Sequence, residues 1–507
     1  MTQEQIYRMF SSMHLRMKGL VDLRIIGRYS FVMLFLKYVT DCWNETYVHY
    51  RQLYGDEPEL FQRKMSRERF VLSENASFYK IVAEKHNPDL GYIINRVLFD
   101  IEQMNPETMK GIFDHVDFNS DYELGDVRNR NQFLQELVSR YERLDLRPSN
   151  SDQKEHIAAA IGGIGTLGEI TNANGGEFFT PADICTLVVR LLKPAEGEQV
   201  YDPLCGSGGF LIAAAREVEE HYSIKTSNYG LYGQEINKQI LAWARMNAYL
   251  AGLDNFQLAE GDVLRHPVWT SGSSLTKFDV VVSNLPFSSS WDEHIAYEDP
   301  YSRFKWGIPP PRKGEYAFIQ HIIASAKNET GRMAMIVPMG ILFRGGREAS
   351  IREGIIKENL VEAVIALPSN LLYNTSVPCA ILILNKGKSQ NKNVLFIDAS
   401  GNFEPSKYRN KLRGEDLSQI INTYRQFKEN TTVNGEGAKS NFSRVVTLSE
   451  IADLEYNLNV SNYIAANKVA GEEEVDISSL KDNIAALQQQ SAALQAMIQE
   501  GLKELGL

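Results

Sequence analysis

Four consecutive residues, Asn284, Leu285, Pro286 and Phe287, follow the apolar run FDVVVS and are a poor choice for packing alone. An amide oxygen and the neighbouring backbone carbonyl put two hydrogen-bond acceptors at one point, and the aromatic ring adds a stacking face. That set suits a planar amine, which offers two hydrogens and a flat surface. By themselves the same residues also make a polar turn with a core phenylalanine.

Upstream, VYDPLCGSGGF (200–210) carries an apolar strand into Asp202. A glycine-rich turn follows through Cys205, Gly206, Ser207 and Gly208, with a helix expected to open near Gly209. Glycines let the backbone pass close to a ligand where a β-carbon would clash. Dinucleotide enzymes use such turns too, so the carboxylates further along decide. Glu235 closes the run GLYGQE and suits ribose hydroxyls; Asp262, in AEGD, closes the next run and suits an adenine amino group. Singly, each acid reads as a solvated strand end or a helix cap. Together with one glycine turn they point to an adenosine-containing ligand. The chain has no GxxxxGKS or GxxxxGKT loop, which excludes a P-loop NTPase.

Such residues need a scaffold that gathers strand ends. Between about 166 and 465, short runs (EQVYDP, GLYGQE, FQLAEGD, FDVVVSN, GRMAMIVP, LVEAVIALP, CAILILN) alternate with helix-like stretches such as FLIAAAREVEEHY and NKQILAWARMNAYLAG. This alternation predicts an α/β domain: a doubly wound, mostly parallel sheet with helices on both faces and ligands at the carboxyl ends of its strands. Residues 1–165 predict an N-terminal helical domain. There LRIIGRYSFVMLFLKYVTDCW and NRNQFLQELVSRYERLDL show helical spacing, with breaks such as YGDEPEL between helices. Residues 466–507 begin with GEEEVD and continue as an Ala- and Gln-rich C-terminal helical tail. Ile477, Leu480, Ile484, Leu487, Leu494, Ile498 and Leu505 make its heptad-like seam, interrupted by Ser491 and Gly501. The tail either folds back on its own domain or docks on a partner's helices.

The 507 residues include 53 Lys and Arg against 64 Asp and Glu, a formal net charge of -11. Hydrophobic residues make up 43% and charged residues 23%, which excludes a largely disordered chain. The four cysteines, Cys42, Cys185, Cys205 and Cys379, form no CxxC pair. That excludes a disulfide scaffold and a cysteine zinc site, and suits a reducing cytoplasm. The start lacks a basic-then-apolar leader, and no apolar run approaches the ~18 residues that span a bilayer, so a cytoplasmic protein without a membrane partner is expected. The acidic total makes any nucleic-acid contact a local matter.

With these motifs in view, the chain resembles the amino-group DNA methyltransferases, and among them the methylation subunits of type I restriction–modification systems. The likeness rests on GEFFTP (Gly176, Glu177, Phe178, Phe179, Thr180, Pro181), DPLCGSGGF, Glu235, Asp262 and the Asn284 quartet, in the order of the γ class. It extends to FLKYVTD (35–41), to 331–386 and to VLFIDAS (394–400), nearly the whole chain. Two departures stand out. The family reads Pro where this chain has Leu285, so φ there is not fixed by a ring. The stretch IGGIGTLGEITNANG is also shorter and richer in glycine than the family's usual helix.

The resemblance implies methyl transfer from S-adenosyl-L-methionine to N6 of adenine, without a metal. Asn284 and the Leu285 carbonyl would accept the amine hydrogens, and Phe287 would stack on an adenine flipped out of double-stranded DNA. Phe179 and Thr180 would cover the cofactor, and the Gly208 and Gly209 amides would meet its methionine part. Sequence reading would belong to a specificity subunit binding two methylation subunits, with the tail as its dock; a restriction/translocase subunit could join. Candidate DNA contacts are Arg312, Lys313, Arg344 and Arg347, with Arg352, Lys407, Arg409, Lys411 and Arg413 in similar runs, although each run reads more readily as a solvated loop face than as a phosphate clamp. Two other readings keep the fold: an Asn-x-Pro-aromatic methyltransferase acting on protein glutamine or RNA, and a catalytically weakened cofactor-binding subunit of a phage-defence complex.

Overall fold

Apolar runs too continuous for a half-exposed strand become the centre of a sheet. The computed structural model describes residues 1–12, 21–171, 180–222, 229–372, 375–388, 392–406, 409–429 and 441–464. Nine strands form one sheet. They are β1 (Gln199–Asp202), β2 (Gly230–Glu235), β3 (Phe256–Glu260), β4 (Val280–Asn284), β5 (Arg332–Pro338), β6 (Val361–Ala366), β7 (Cys379–Asn385), β8 (Val394–Asp398) and β9 (Ser443–Val446). Their order in space is β3-β2-β1-β4-β5-β7-β6-β8-β9. β7 runs antiparallel between β5 and β6, and β9 is antiparallel to β8 at the edge. The other pairings are parallel, giving the expected doubly wound, mostly parallel sheet.

Every residue of β6 and β7 is buried, which is why they carry no polar alternation. Alternate residues feed two cores. Val280 and Val282 belong with Ile184, Val188 and Phe210 on one face, and Val281 with Tyr316, Ile319 and Ile351 on the other. Asp202, Glu235 and Asn284 each end a strand, so the parallel sheet sets them along one rim.

Among the described residues up to 171 the regular elements are helices, dominated by Leu23–Tyr54, Leu90–Met104, Val127–Tyr141 and Gln153–Thr171. Asp126 caps the third, accepting from Asn129 N at 2.9 Å, and Pro58 opens a short helix after the YGDEPEL break. Within FLKYVTD, Lys37 and Asp41 pair one turn apart, their side chains 6% and 2% exposed. Asp41 also accepts from Leu146 N (2.9 Å) and Tyr79 OH (3.0 Å), so this motif ties helices together. The glycine-bearing stretch IGGIGTLGEIT is helical within Gln153–Thr171, which runs across residue 165.

These helices rest on the helix Lys238–Leu250. Its Met246, Tyr249 and Leu250 complete a core with Phe35, Phe70 and Phe113. Arg245 donates to Thr108 O (2.7 Å) and Lys110 O (2.8 Å), and Arg69 to Leu253 O (2.6 Å). Trp243 Nε1 donates to His115 Nε2 at 3.1 Å, and burial lowers that imidazole to about 4, keeping it a neutral acceptor. Among the described residues no helix is long and apolar enough to cross a membrane. The tail 466–507 lies outside the described residues.

Candidate active site

β1 delivers Asp202 at the rim of the sheet, almost fully buried, where Oδ1 accepts from Leu204 N (3.1 Å) and Ser283 Oγ (3.0 Å). Burial pushes this carboxyl up to about 7, with the charge of Glu235 adding to the effect. The glycine turn is fastened to β2: Cys205 N donates to Gln234 O (2.9 Å) and Gly206 N to Glu235 Oε2 (3.0 Å). Glu235 Oε1 accepts from Asn237 N (2.9 Å), and burial raises its carboxyl too. Glu235 therefore braces the turn as well as facing the cavity. Gly208, at φ 85°, lies against Ala244, so its glycine serves the turn itself. Asp262 Oδ1 accepts from Leu264 N (2.9 Å), which fixes the carboxylate to its own loop.

A cavity of 780 Å³ joins these groups to the end of β4. Asp202, Gly206, Glu235 and Asp262 line one side, and Asn284, Leu285 and Phe287 the other. Asn284 Nδ2 donates to Thr180 Oγ1 at 3.2 Å, while its Oδ1 is buried with no partner among the described residues. Buried acceptors are rarely left open, so an unpaired one on a cavity wall marks a place for a donor from outside. Leu285 N donates to Ile336 O (3.2 Å), a bond that the family's proline could not make. Phe287 is half-buried and Pro286 exposed.

Beyond the quartet, Ser288 takes a left-handed φ of 55°. Its N donates to Glu315 Oε1 (3.2 Å), and its Oγ accepts from Lys313 Nζ (3.2 Å). Glu315 is fully buried and also pairs with Arg344 at 3.1 Å; Glu348 meets the same guanidinium at 2.9 Å.

That pairing corrects one expectation. Two buried carboxylates need a cation, so Arg344 supports the loop behind the quartet instead of standing free for a phosphate. Arg352 is likewise interior, donating to the carbonyls of Ile341 (3.1 Å), Arg344 (2.9 Å) and Tyr456 (2.9 Å). Arg409 meets Asp183 at 3.1 Å, and Arg413 meets Asp416 at 2.9 Å. Arg312 is exposed, and Arg347 forms a surface pair with Glu293 at 2.9 Å.

Thr180 lines the cavity, and Pro181 starts the helix Ala182–Leu192. Cys205, Ser207 and Gly209 line the cavity floor. Glu177, Phe178, Phe179 and Lys407 lie outside the described residues. Sequence reading missed Ser283, Glu315 and Trp291, which lines the cavity beyond Phe287. Ser283 sits beside Asn284, but nothing in its type announced Asp202 as partner.

The sequence pattern of the N-6 DNA Methylase family matches residues 164–472, and that of the HsdM N-terminal domain matches 13–140. The type I restriction enzyme MpnII methylase subunit of Mycoplasma pneumoniae is 30% identical over 86% of this chain and 82% of its own. The HindI methylase subunit of Haemophilus influenzae is 28% identical over 80% of this chain and 91% of its own. A solved type I restriction-modification methyltransferase subunit from Streptococcus thermophilus superposes with a TM-score of 0.80 at 26% identity, covering 92% of this chain and 100% of that one. With helices before a methyltransferase sheet and an open acceptor at the end of β4, this chain belongs to the N-6 DNA methylase family, as a methylase subunit of the type I restriction enzyme kind.

Proposed function

We propose that the cavity methylates N6 of an adenine turned out of double-stranded DNA, using S-adenosyl-L-methionine. The observation that carries this reading is Asn284: its amide nitrogen is engaged by Thr180, while its oxygen is buried and unpaired on the cavity wall. An exocyclic amine is a poor nucleophile because its lone pair is delocalised into the ring. Asn284 Oδ1 and the Leu285 carbonyl each accept one of its hydrogens, which favours a pyramidal nitrogen with a localised lone pair. Phe287 stacks on the extruded base and offsets part of the cost of flipping, a few kcal/mol.

The residues fit the cofactor. Gly206 lines the cavity without a side chain, and Glu235 and Asp262 supply acceptors for ribose and adenine. Asp202 faces the charged methionine end, with the 177–181 segment as cover. Once bound, S-adenosyl-L-methionine supplies an activated methyl on a sulfonium, so the chain needs no strong base.

In this reading residues 1–165 are a helical domain, 166–465 the methyltransferase domain and 466–507 a partner dock, with the first boundary inside the helix Gln153–Thr171. Relatives are named as methylase subunits, which supports assembly with other chains. The partners proposed are a specificity subunit that binds two methylase chains and, further, a restriction/translocase subunit, in the cytoplasm. Arg312, Lys313 and Arg347 are the DNA contacts proposed from this chain.

The test is transfer of labelled methyl to genomic DNA by the chain co-expressed with its specificity partner. Label on adenine N6 that needs the partner and vanishes in Asn284→Ala is the expected result. A formed complex that binds cofactor but transfers nothing to DNA would overturn it.

A further inference from the structure

Arg303 lies in the segment between the Asn284 quartet and the helix Glu315–Ser325, and it is only 2% exposed. Its guanidinium reaches out of that segment to another loop. Nη1 donates to Val263 O at 3.2 Å and Nη2 to Leu264 O at 2.7 Å. Those are the two residues that follow Asp262.

The guanidinium is itself aimed from behind. Nε donates to Asp299 Oδ1 at 2.9 Å, and the backbone N of Arg303 donates to Asp299 Oδ2 at 2.6 Å. The two side chains of this pair are 1% and 3% exposed. Nη1 also lies 3.2 Å from His321 Nδ1. Arginine only donates, so Nδ1 must be the acceptor and the ring proton sits on Nε2, within 3.2 Å of Ser325 Oγ. Burial, with the charge of Arg303, holds His321 well below the usual imidazole range, consistent with that neutral tautomer.

Asp262 depends on the same loop. Among the described residues its carboxylate contacts are through Oδ1, from Leu264 N at 2.9 Å and Arg265 N at 3.4 Å, and its backbone carbonyl accepts from His266 N at 2.7 Å. Leu264 is thus held at both ends: its amide on Asp262 and its carbonyl on Arg303. A shift of that peptide would turn the carboxylate within the cavity. Two parallel donors are a geometry that only a guanidinium supplies; an ammonium is a point charge.

We infer that Arg303 is a positioning residue for adenine recognition: by fixing the peptides after Asp262, it sets the preference for a 6-amino over a 6-oxo purine in the cofactor. This rests on the reading of Asp262 as the acceptor of the adenine amino group. Arg303 touches no ligand in this scheme and acts through the loop.

The test measures calorimetric affinities of the full chain for S-adenosylhomocysteine and S-inosylhomocysteine. The variants are Arg303→Lys, Asp299→Asn and Asp262→Asn. Arg303→Lys keeps a cation beside Asp299, which avoids stranding a buried carboxylate. Wild type is expected to prefer the 6-amino ligand on the order of a hundredfold, the worth of a hydrogen bond to a charged group. In Arg303→Lys that ratio falls to about tenfold or less through weaker 6-amino binding, while 6-oxo affinity changes less than about threefold. Asp299→Asn leaves the guanidinium in place with a looser anchor, and its ratio falls between the two.

Arg303→Lys weakening both ligands by one factor, with the ratio intact, means a merely structural arginine and overturns the inference. So does a folded Asp299→Asn protein with the wild-type ratio. A wild type without preference, matched by Asp262→Asn, overturns the Asp262 reading beneath it and is recognisable as that different failure.

Discussion

Thr180 and Asn284 meet through a single hydrogen bond, Nδ2 to Oγ1 at 3.2 Å, which holds the amide with its oxygen towards the cavity. Without it the side chain could rotate its NH2 towards the substrate amine, offering a donor where an acceptor is required. Thr180→Val should lower kcat about tenfold, the worth of one neutral hydrogen bond. Any loss of cofactor affinity, through the cover to which Thr180 belongs, should be smaller than the loss of kcat, and Thr180→Ser should restore the rate. Steady-state methylation with separate titrations of DNA and cofactor checks this.

Removing the open acceptor itself should cost more. Asn284→Ala is expected to lower methyl transfer on the order of a hundred- to a thousandfold, as loss of a preorganised transition-state contact does. Cofactor binding by calorimetry should survive, because Asn284 is not among the groups that hold it. Equal loss of binding and rate would move Asn284 to the cofactor side.

Leu285 replaces a ring constraint with a sheet bond. Its amide continues the β4–β5 ladder to Ile336 O, at 3.2 Å. Leu285→Pro would bring the family's residue but strand that buried carbonyl. The expected result is a stability loss of about 1–2 kcal/mol in urea unfolding. Methyl transfer should remain within a few-fold of wild type, because the carbonyl at 285 is still present.

Asp202 predicts a pH dependence. Its folded-state value, pushed up to about 7, lies above the ordinary carboxylate value of 3.8. The folded chain therefore holds a proton that the unfolded chain has released. This group's contribution to stability is fully present below about pH 4 and is lost as pH rises through about 7. Urea midpoints of the ligand-free chain should fall across that window, with a shallower fall in Asp202→Asn. A cationic ligand favours the ionised carboxylate, so affinity for S-adenosyl-L-methionine should rise between about pH 6 and pH 8 in wild type only.

Arg344 and Arg312 should separate cleanly. Arg344→Ala leaves Glu315 and Glu348 without their shared cation and should destabilise the chain by about 3–5 kcal/mol. Arg312→Ala should leave the melting temperature alone and reduce the salt dependence of DNA binding by the assembled complex, by about one phosphate contact. Salt titrations of binding, beside thermal melts of each variant, distinguish the two roles.

Much of the scaffold was legible because its central strands are buried on both faces. Seven apolar runs became β1 to β7, although β3 stops at Glu260, so Asp262 lies two residues past the strand it was expected to close. VLFID was noticed only through its likeness to relatives, and SRVV, half-exposed at the edge, not at all. Strand order was not legible: nothing in CAILILN says that it pairs with both β5 and β6. At the site, Asp202, Glu235, Asp262 and Asn284 were visible as polar residues ending apolar runs. Ser283, Glu315 and Arg303 were not, since each matters through a contact across distant sequence. The charges misled for the same reason. Glu348 is one turn from Arg344 and could have been suspected; Glu315, across the loop, could not.

The reversed strand β7 bears on how the chain is made. It fills the gap between β5 and β6, both of which precede it in the sequence. A ribosome therefore releases two strands whose facing edges have no neighbour until residues 379–385 emerge and slot between them. Until then, the half carrying the glycine turn and Asn284 exists without its other half, with an unpaired edge open to other nascent chains. Stalled or truncated products ending before Cys379 should be the aggregation-prone species of this protein, and the step from soluble to insoluble fragments should fall at that strand.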